Sequence, residues 1–229
     1  MARLPRLVVP GHAHVLVQRG HGDRPVFVDD IDRANYLAAL RESAPASGVE
    51  LLAWALLDDQ VLLLVRPASA TGPSRLLQSV GRRYVSAYNR RHGRAGTLWD
   101  GRYRCAPVES GATLLSLLAW VDGMAAEASQ TSASLRLAGR PDPMLAHPPE
   151  FWALGNTPFE REAAYRRRLA EGVSAAQARA WQQAALGGWA IGSPSFATEL
   201  ARLTPRPVRP RPPGRPRKPQ GPGHGTPRA

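Results

Sequence analysis

The sequence has one cysteine, Cys105, and one lysine, Lys218. A single cysteine excludes a disulfide framework and a metal site built from several thiolates. No segment comes near the roughly 18 consecutive apolar residues that a membrane-spanning helix needs. The first residues, Met1–Arg6, contain no apolar stretch of the kind found in signal peptides. Together these absences predict a cytoplasmic protein.

Acidic residues are scarce relative to basic ones. The chain has 30 Lys and Arg residues against 18 Asp and Glu, a formal net charge of +12 and a pI near 11.2. This excess predicts a polyanionic partner, and nucleic acid is the commonest one. Almost every positive charge is an arginine, which suits bidentate contacts to phosphate and guanine. A GC-rich genome would also favour arginine over lysine, but it would not produce the net excess.

The apolar pattern of residues 1–128 changes between strand-like and helix-like periods. The predicted elements are, in order, a strand in Leu4–Gly20, a helix in Asp29–Ala44 that stops at Pro45, a hairpin of strands Leu51–Leu57 and Val61–Val65, a helix from Gly72, a strand in Arg102–Val108 and a helix in Ala112–Ala128. This order predicts an α+β domain in which helices pack on an antiparallel sheet.

Beyond residue 128 the composition shifts. Residues 129–204 are a predicted helical extension, with helices in Phe159–Gly172 and Ala175–Leu186. Residues 205–229 are dominated by Pro, Gly and Arg and contain no acidic residue. Because such a segment cannot bury enough apolar surface to order itself, we expect a disordered tail.

Uncommon strings occur along the chain in a particular order. They are Pro10-Gly11-His12-Ala13-His14-Val15, the hairpin Glu50–Arg66, the basic string Gly81-Arg82-Arg83-Tyr84-Val85, and Gly96-Thr97-Leu98-Trp99-Asp100-Gly101-Arg102-Tyr103-Arg104. Together they resemble the REP-associated tyrosine transposases, a bacterial branch of the HUH single-strand nucleases. The resemblance spans roughly residues 4–170. It implies a ferredoxin-like (RRM-like) sheet with DNA bound across it.

The same resemblance implies where the family's chemistry would lie. Two histidines at i and i+2 of a strand point to one face and hold a divalent ion that polarises the scissile phosphate. A tyrosine on a later helix attacks that phosphate, and an amide one helical turn further on completes the metal site. In this chain Gln60 and Leu62 occupy the histidine positions, Trp120 the tyrosine position and Met124 the amide position.

Those substitutions remove both the metal ligands and the nucleophile. Leucine cannot ligate a metal, and tryptophan has no nucleophilic oxygen. The resemblance therefore implies a transposase-like DNA-binding protein that does not cleave, with no catalytic residue, no metal ligand and no cofactor.

An active site rebuilt elsewhere is the alternative, with Mg²⁺ or Mn²⁺ as its cofactor. His12-Ala13-His14 is itself a His-x-His string on a predicted strand, and Asp58 and Asp59 offer oxygen ligands. The alternative nucleophiles are Tyr84, Tyr88 and Tyr103. Each of these residues also has a structural interpretation, since adjacent aspartates are common in turns and tyrosines pack in cores.

Basic and aromatic residues alternate between Gly81 and Arg104. Guanidinium groups follow phosphates, and aromatic rings stack on unpaired bases at about 1–3 kcal/mol each. The predicted DNA-binding residues here are Arg82, Arg83, Tyr84, Tyr88, Arg90, Arg91, Trp99, Arg102, Tyr103 and Arg104. The alternative interpretation places the rings in the core and the arginines on a solvated face.

The tail contains a second predicted DNA-binding element. Pro213–Pro219 resembles an AT-hook, in which an extended Gly-Arg-Pro core lies in the narrow minor groove of A·T-rich duplex. Its cations are Arg215, Arg217 and Lys218. We expect a nucleoid-associated protein that binds a single-stranded hairpin from palindromic repeat DNA and holds flanking duplex through this tail. A duplex binder that acts mainly through the tail is the remaining alternative.

Overall fold

The computed structural model describes residues 5–124, 130–138 and 142–210. The predicted AT-hook core, with Arg215, Arg217 and Lys218, lies outside these residues. Within the described ranges no helix is long and apolar enough to cross a membrane.

Within the described residues, five strands form one antiparallel sheet. They are β1 (Ala13–Arg19), β2 (Val49–Leu57), β3 (Gln60–Pro67), β4 (Arg104–Val108) and β5 (Gln130–Thr131). Their order across the sheet is β4–β1–β3–β2–β5, and every neighbouring pair is antiparallel. One helix connects β1 to β2 and another connects β3 to β4, so the first four strands have the βαββαβ connectivity of a ferredoxin-like fold. The predicted fold class is confirmed.

Two helices cover one face of this sheet. They are α1 (Asp30–Ala46) and α2 (Gly72–Arg91), and both begin close to their predicted starts. The side chain of Asp29 caps α1 by accepting a hydrogen bond from the backbone N–H of Asp32. Pro45 does not end α1 as predicted, because it lies inside the last turn and the helix continues to Ala46.

The other face is covered by the second half of the chain. The helices there are α3 (Ala112–Asp122), α5 (Pro149–Trp152), α6 (Pro158–Glu171) and α7 (Ala175–Gly187). Their buried side chains share one apolar cluster with the inward residues of β1 to β4. Because both faces are covered, the central strands are apolar along their length rather than alternating.

Several elements differ from their predicted bounds. The predicted helices in Phe159–Gly172 and Ala175–Leu186 correspond to α6 and α7. Helix α3 ends at Asp122, with Gly123 as its C-cap, and residues 125–128 of the predicted helix lie outside the described residues. The short β5, α4 (Ala133–Arg136) and α8 (Pro194–Leu203) were not predicted.

The first residues of the predicted tail, 205–210, pack against the domain instead of separating from it. Val208 is buried in a small cluster with Leu7, Phe196 and Leu200. The carbonyl of Val208 accepts a hydrogen bond from the backbone N–H of Ala190 at 2.9 Å. A single apolar residue in a Pro/Arg-rich segment therefore joins this part of the chain to the folded domain.

A buried ion pair connects the second face to the sheet. The carboxylate of Asp122, at the end of α3, accepts hydrogen bonds from Arg136 Nε at 2.8 Å and from the Tyr165 hydroxyl at 2.7 Å. Ser132 donates to the other carboxylate oxygen, and Arg136 also donates to the carbonyl of Leu52 in β2. Both charged side chains are fully buried. The network thus joins α3, α4, α6 and β2 at one point.

We expect Asp122→Ala to destabilise the protein strongly, because it leaves the Arg136 guanidinium buried without its carboxylate. Removing one partner of a buried pair typically costs about 3–5 kcal/mol. Urea denaturation would measure the loss. The matched control is Glu162→Ala, which removes the surface ion pair with Arg166 and should cost less than about 1 kcal/mol. Equal effects of the two substitutions would contradict this account.

Candidate nucleic-acid interface

The positions that the family resemblance singled out meet at one cavity. Gln60 and Leu62 lie two residues apart on β3, so their side chains share a face of the sheet. Trp120 of α3 and Met124, which follows it, lie over the same face. All four residues line a pocket of about 450 Å³ that α7 closes from above. The four positions therefore lie together in the fold.

The pocket does not suit a divalent cation. Leu62 and Trp120 carry no ligand atom, and Gln60 offers a single amide oxygen. Asp58, at the rim, has its Oδ1 2.5 Å from the guanidinium of Arg33. The described residues hold no cluster of three or more His, Cys, Asp or Glu side chains that could bind a metal. The pocket also contains no hydroxyl nucleophile among its lining residues.

The alternative His-x-His string is part of the fold. His14 is fully buried at the start of β1. Its Nε2 accepts a hydrogen bond from the backbone N–H of Val9 at 3.0 Å, and this requires the ring proton to be on Nδ1. Nδ1 in turn donates to the carbonyl of His12 at 2.9 Å. Both ring nitrogens are used, so His14 has no lone pair left for a metal.

The four aromatic residues that were predicted to stack on bases lie in the core. Tyr84, Tyr88, Trp99 and Tyr103 each expose 7% of their surface or less. The Tyr84 and Tyr88 hydroxyls donate to the carbonyls of Val26 and Pro25, and that of Tyr103 bonds with Ser74. The prediction that these rings stack on DNA from the surface needs correction, because they pack between the sheet and the helices α1 and α2.

Burial also suppresses the reactivity of these groups. It raises the pKa of the Tyr84 and Tyr103 hydroxyls above their ordinary value. The thiol of Cys105 is buried in β4, and this raises its pKa to about 12. None of these three side chains is available as a nucleophile near neutral pH.

The arginines of α2 divide into paired and unpaired groups. Arg91 is held by Asp29 at 2.5 Å and Asp32 at 2.6 Å, where it ties the end of α2 to the start of α1. Its hydrogen bonds lower the pKa of Asp29 to about 2. Arg83 pairs with Glu42 on the surface. Arg82 and Arg90 are exposed and make no ion pair with any described residue.

Arg102 and Arg104 lie in a second place, at the start of β4. They line a groove of about 350 Å³ together with Arg6, from the N-terminal segment, and Arg206. We call this the arginine groove. Asp100 is the only carboxylate among its lining residues. Arginines from three separate parts of the chain therefore converge beside an edge strand of the sheet.

Arg6 is held in place by Tyr103. Its guanidinium carbon is 3.7 Å from the centre of the tyrosine ring, and its Nε donates to the Tyr103 carbonyl at 3.1 Å. Cation–π contact of this kind fixes the guanidinium while leaving its remaining N–H groups able to donate. The buried Tyr103 thus serves the groove indirectly, as a support for a cation.

Arg206 is held on the opposite side. Its Nη2 donates to the carbonyl of Gly188 at 2.9 Å, and its guanidinium lies 5.8 Å from the centre of the Trp189 ring. Burial lowers its pKa from the ordinary value. Its Nε is buried and has no hydrogen-bond partner among the described residues. Such an unsatisfied donor on a desolvated cation favours an anionic ligand.

The local backbone lets Trp189 approach Arg206. A Cβ atom on Gly187 would lie 2.2 Å from the Trp189 indole nitrogen, so only glycine fits there. Gly188, with φ of 67°, ends α7 in the left-handed conformation. Arg6 and Trp189 were not among the predicted site residues, because they lie far from the Gly81–Arg104 segment in sequence. Val208 was the one signal that the chain near Arg206 is packed.

No family model and no curated protein matches the sequence. The solved structures that are similar to the chain include two that carry the name of a transposase. One is a REP-associated tyrosine transposase bound to a REP hairpin, with 11% identity, a TM-score of 0.44, and coverage of 53% of this chain and 70% of that one. The other, from Deinococcus radiodurans, carries the name of a transposase, with 24% identity, a TM-score of 0.37, and coverage of 48% and 88%. At this degree of similarity, function has to be inferred from the chain's own residues.

His14 predicts a pH dependence of stability. Burial lowers its pKa from 6.5 to about 4 in the folded protein, so folding favours the neutral ring. The resulting contribution to the free energy of unfolding is fully present above pH 6.5 and is lost as the pH falls toward 4. The difference corresponds to roughly 3 kcal/mol of unfolding free energy. Urea denaturation at pH 7.5 and 4.5 would measure it.

The variant His14→Gln should show a shallower loss of stability between these two pH values. Some loss will remain, because the pKa of His147 is also lowered to about 4, by burial and by Arg136. The control is His21→Gln, at an exposed position after β1, which should keep the slope of the unmodified protein. An unchanged slope in His14→Gln would refute the assignment.

Proposed function

We propose that this chain is a transposase-like DNA-binding protein that recognises single-stranded hairpin DNA and does not cleave it. The observation that carries the proposal is the arginine groove, in which Arg6, Arg102, Arg104 and Arg206 converge with one carboxylate. A concentration of guanidinium groups on a chain of net charge +12 is the arrangement that binds a phosphate backbone.

The contacts and burial of the guanidinium groups favour a ligand-binding site over a solvated surface. Arg102 and Arg104 make no ion pair within the described residues, Arg6 is fixed by an aromatic ring, and Arg206 has a buried donor without a partner. Phosphate oxygens would satisfy these donors with charge-assisted hydrogen bonds. Arg82 and Arg90 on α2 add two exposed cations for further backbone contacts.

The choice of hairpin DNA rests on the resemblance of the sequence strings to the REP-associated family. Folded single-stranded DNA presents both a paired stem and unpaired bases. The basic groove suits the phosphates of either part. The AT-hook-like residues Arg215, Arg217 and Lys218 would contact flanking A·T-rich duplex.

The absence of cleavage rests on the pocket at the histidine frame. Its four diagnostic positions hold Gln60, Leu62, Trp120 and Met124, which supply neither a metal site nor a nucleophile. The alternative active site, built from His12, His14 and a tyrosine, is not supported either. The ring nitrogens of His14 and the hydroxyls of Tyr84 and Tyr88 already make hydrogen bonds inside the fold.

Replacing Arg102 and Arg104 together by Gln should weaken hairpin binding and reduce its salt dependence. Each lost phosphate contact lowers the slope of log affinity against log salt by about 0.7–0.9, so we expect a reduction of about 1.4–1.8. Fluorescence anisotropy of a labelled hairpin across a series of salt concentrations would measure both quantities.

The control for that experiment changes the net charge equally at another site. Arg166 and Arg167 are exposed on α6, away from the lining of the groove. The double substitution of these two residues by Gln should leave the salt slope close to that of the unmodified protein. If the two double variants have equal slopes of log affinity against log salt, the groove is not part of the DNA interface.

The proposal also expects no cleavage of end-labelled hairpin DNA with Mg²⁺ or Mn²⁺, even where a native gel shows a shifted band. A denaturing gel would reveal a product or a covalent protein–DNA adduct. An adduct would overturn the assignment, and identification of the modified tyrosine would then locate the nucleophile.

A further inference from the structure

The pocket at the histidine frame has an apolar interior that is open to solvent. Its walls include Val17, Leu57, Leu62, Trp120 and Leu186. Apolar surface in contact with water is unfavourable, so a ligand that covers these walls would be bound in part by the hydrophobic effect. The volume, about 450 Å³, falls in the range of roughly 300–1,000 Å³ that is typical of small-ligand sites.

Two amide side chains give the pocket a hydrogen-bonding edge. Gln60 lies on the floor, at the start of β3, and Gln182 lies on α7. Neither side chain makes a hydrogen bond with another described residue. An amide offers both donors and an acceptor, and this combination matches the edge of a nucleobase, as in the pairing of glutamine with adenine. A purely aliphatic ligand would leave both amides unused.

The aromatic wall is held firmly. Trp120 packs against Trp181 with ring centres 5.7 Å apart and an angle of 66° between the planes. Trp181 itself exposes only 8% of its surface. An indole fixed in this way is a stacking surface that is already formed before a planar ring arrives, which reduces the entropy lost on binding.

The charges around the pocket favour a ring that is attached to a phosphate over a ring that carries no phosphate. Arg19 is directly opposite Gln60 in the antiparallel register of β1 and β3, so both side chains are on the pocket face. Arg179 lines the pocket from α7. Neither arginine is ion-paired within the described part of the chain, whereas the carboxylate at the rim, Asp58, is already bound by Arg33.

We propose that this pocket receives one unpaired base of the bound DNA, which stacks on Trp120 and is contacted at its edge by Gln60 and Gln182. This rests on the proposed function and gives the position a new role: the site that would hold a metal in a nuclease holds a base here. The arginine groove supplies affinity for the backbone, and the pocket discriminates unpaired from paired DNA.

The test compares Ala178→Phe with the unmodified full chain. Ala178 lines the pocket from α7, so a phenyl ring there would occupy the space of the base. Binding is measured to a hairpin with an unpaired overhang and to the same stem with blunt ends. Ala178→Phe should lower affinity for the overhang hairpin by about 10-fold, the size expected for one stacked base, and should leave blunt-stem affinity unchanged.

The matched control is Ala176→Phe, at an exposed position of the same helix that does not line the pocket. A second pair avoids any effect of bulk on folding. Gln182→Leu should weaken overhang binding, and Gln183→Leu, its exposed neighbour outside the pocket, should not. Circular dichroism and the Tm of each variant establish that it is folded.

A fluorescent base locates the contact directly. With 2-aminopurine at successive overhang positions, one position should change its emission on binding to the unmodified protein and lose that change in Ala178→Phe. If both proteins bind the overhang hairpin equally, the pocket inference is wrong and the proposed function stands. If the unmodified protein binds no DNA, the proposed function is wrong.

If the unmodified protein binds no DNA, a titration with free adenosine and thymidine tests whether the pocket binds a base. Ligand-observed NMR would detect binding to the unmodified protein that Ala178→Phe abolishes and Ala176→Phe retains. No binding of either nucleoside there would overturn the inference as well.

Discussion

The covering of the second sheet face is the constraint on which the other features depend. Helix α3 packs on β2 and β3, α7 packs on β4 and β1, and α6 packs against α3. The buried Asp122–Arg136 pair ties this layer to β2 through the carbonyl of Leu52. With both faces covered, the sheet presents no open platform to a ligand within the described part of the chain. A pocket between α7 and the sheet and a groove beside β4 remain accessible there.

This constraint explains why the aromatic residues of the segment Gly81–Arg104 are buried while its basic residues lie at the surface. A side chain on α2 that faces the sheet enters a layer with no access to solvent, and Tyr84 and Tyr88 both do so. The arginines that precede and follow them on α2 face outward or pair across to α1 or to the residue that caps it. The interleaved pattern of the sequence is thus the normal amphipathic pattern of a helix, with cations on its outer side.

The parts of the fold that could be predicted from sequence are those controlled by short-range periodicity. The hairpin of β2 and β3, the helices α6 and α7, and the common face of Gln60 and Leu62 all follow from spacing along the chain. The arginine groove could not be predicted in this way. Arg6 and Arg206 reach it only because both ends of the described chain pack beside β4, and this depends on tertiary contacts such as those of Leu7 and Val208. The burial of Trp99 and Tyr103 likewise depends on the way the loop after α2 folds back onto the core.

The anchoring of Val208 has a consequence for how the two basic elements act together. Nine residue steps separate Arg206 from Arg215, and a fully extended chain covers at most about 3.6 Å per residue, or about 32 Å in all. Under the proposed function, DNA bound in the groove would lie close to the start of the tail. The tail's cations would then encounter the same DNA molecule at an effective concentration far above that of free DNA in solution. The packing of Val208 would in that case make two separate weak contacts act as a single bivalent one.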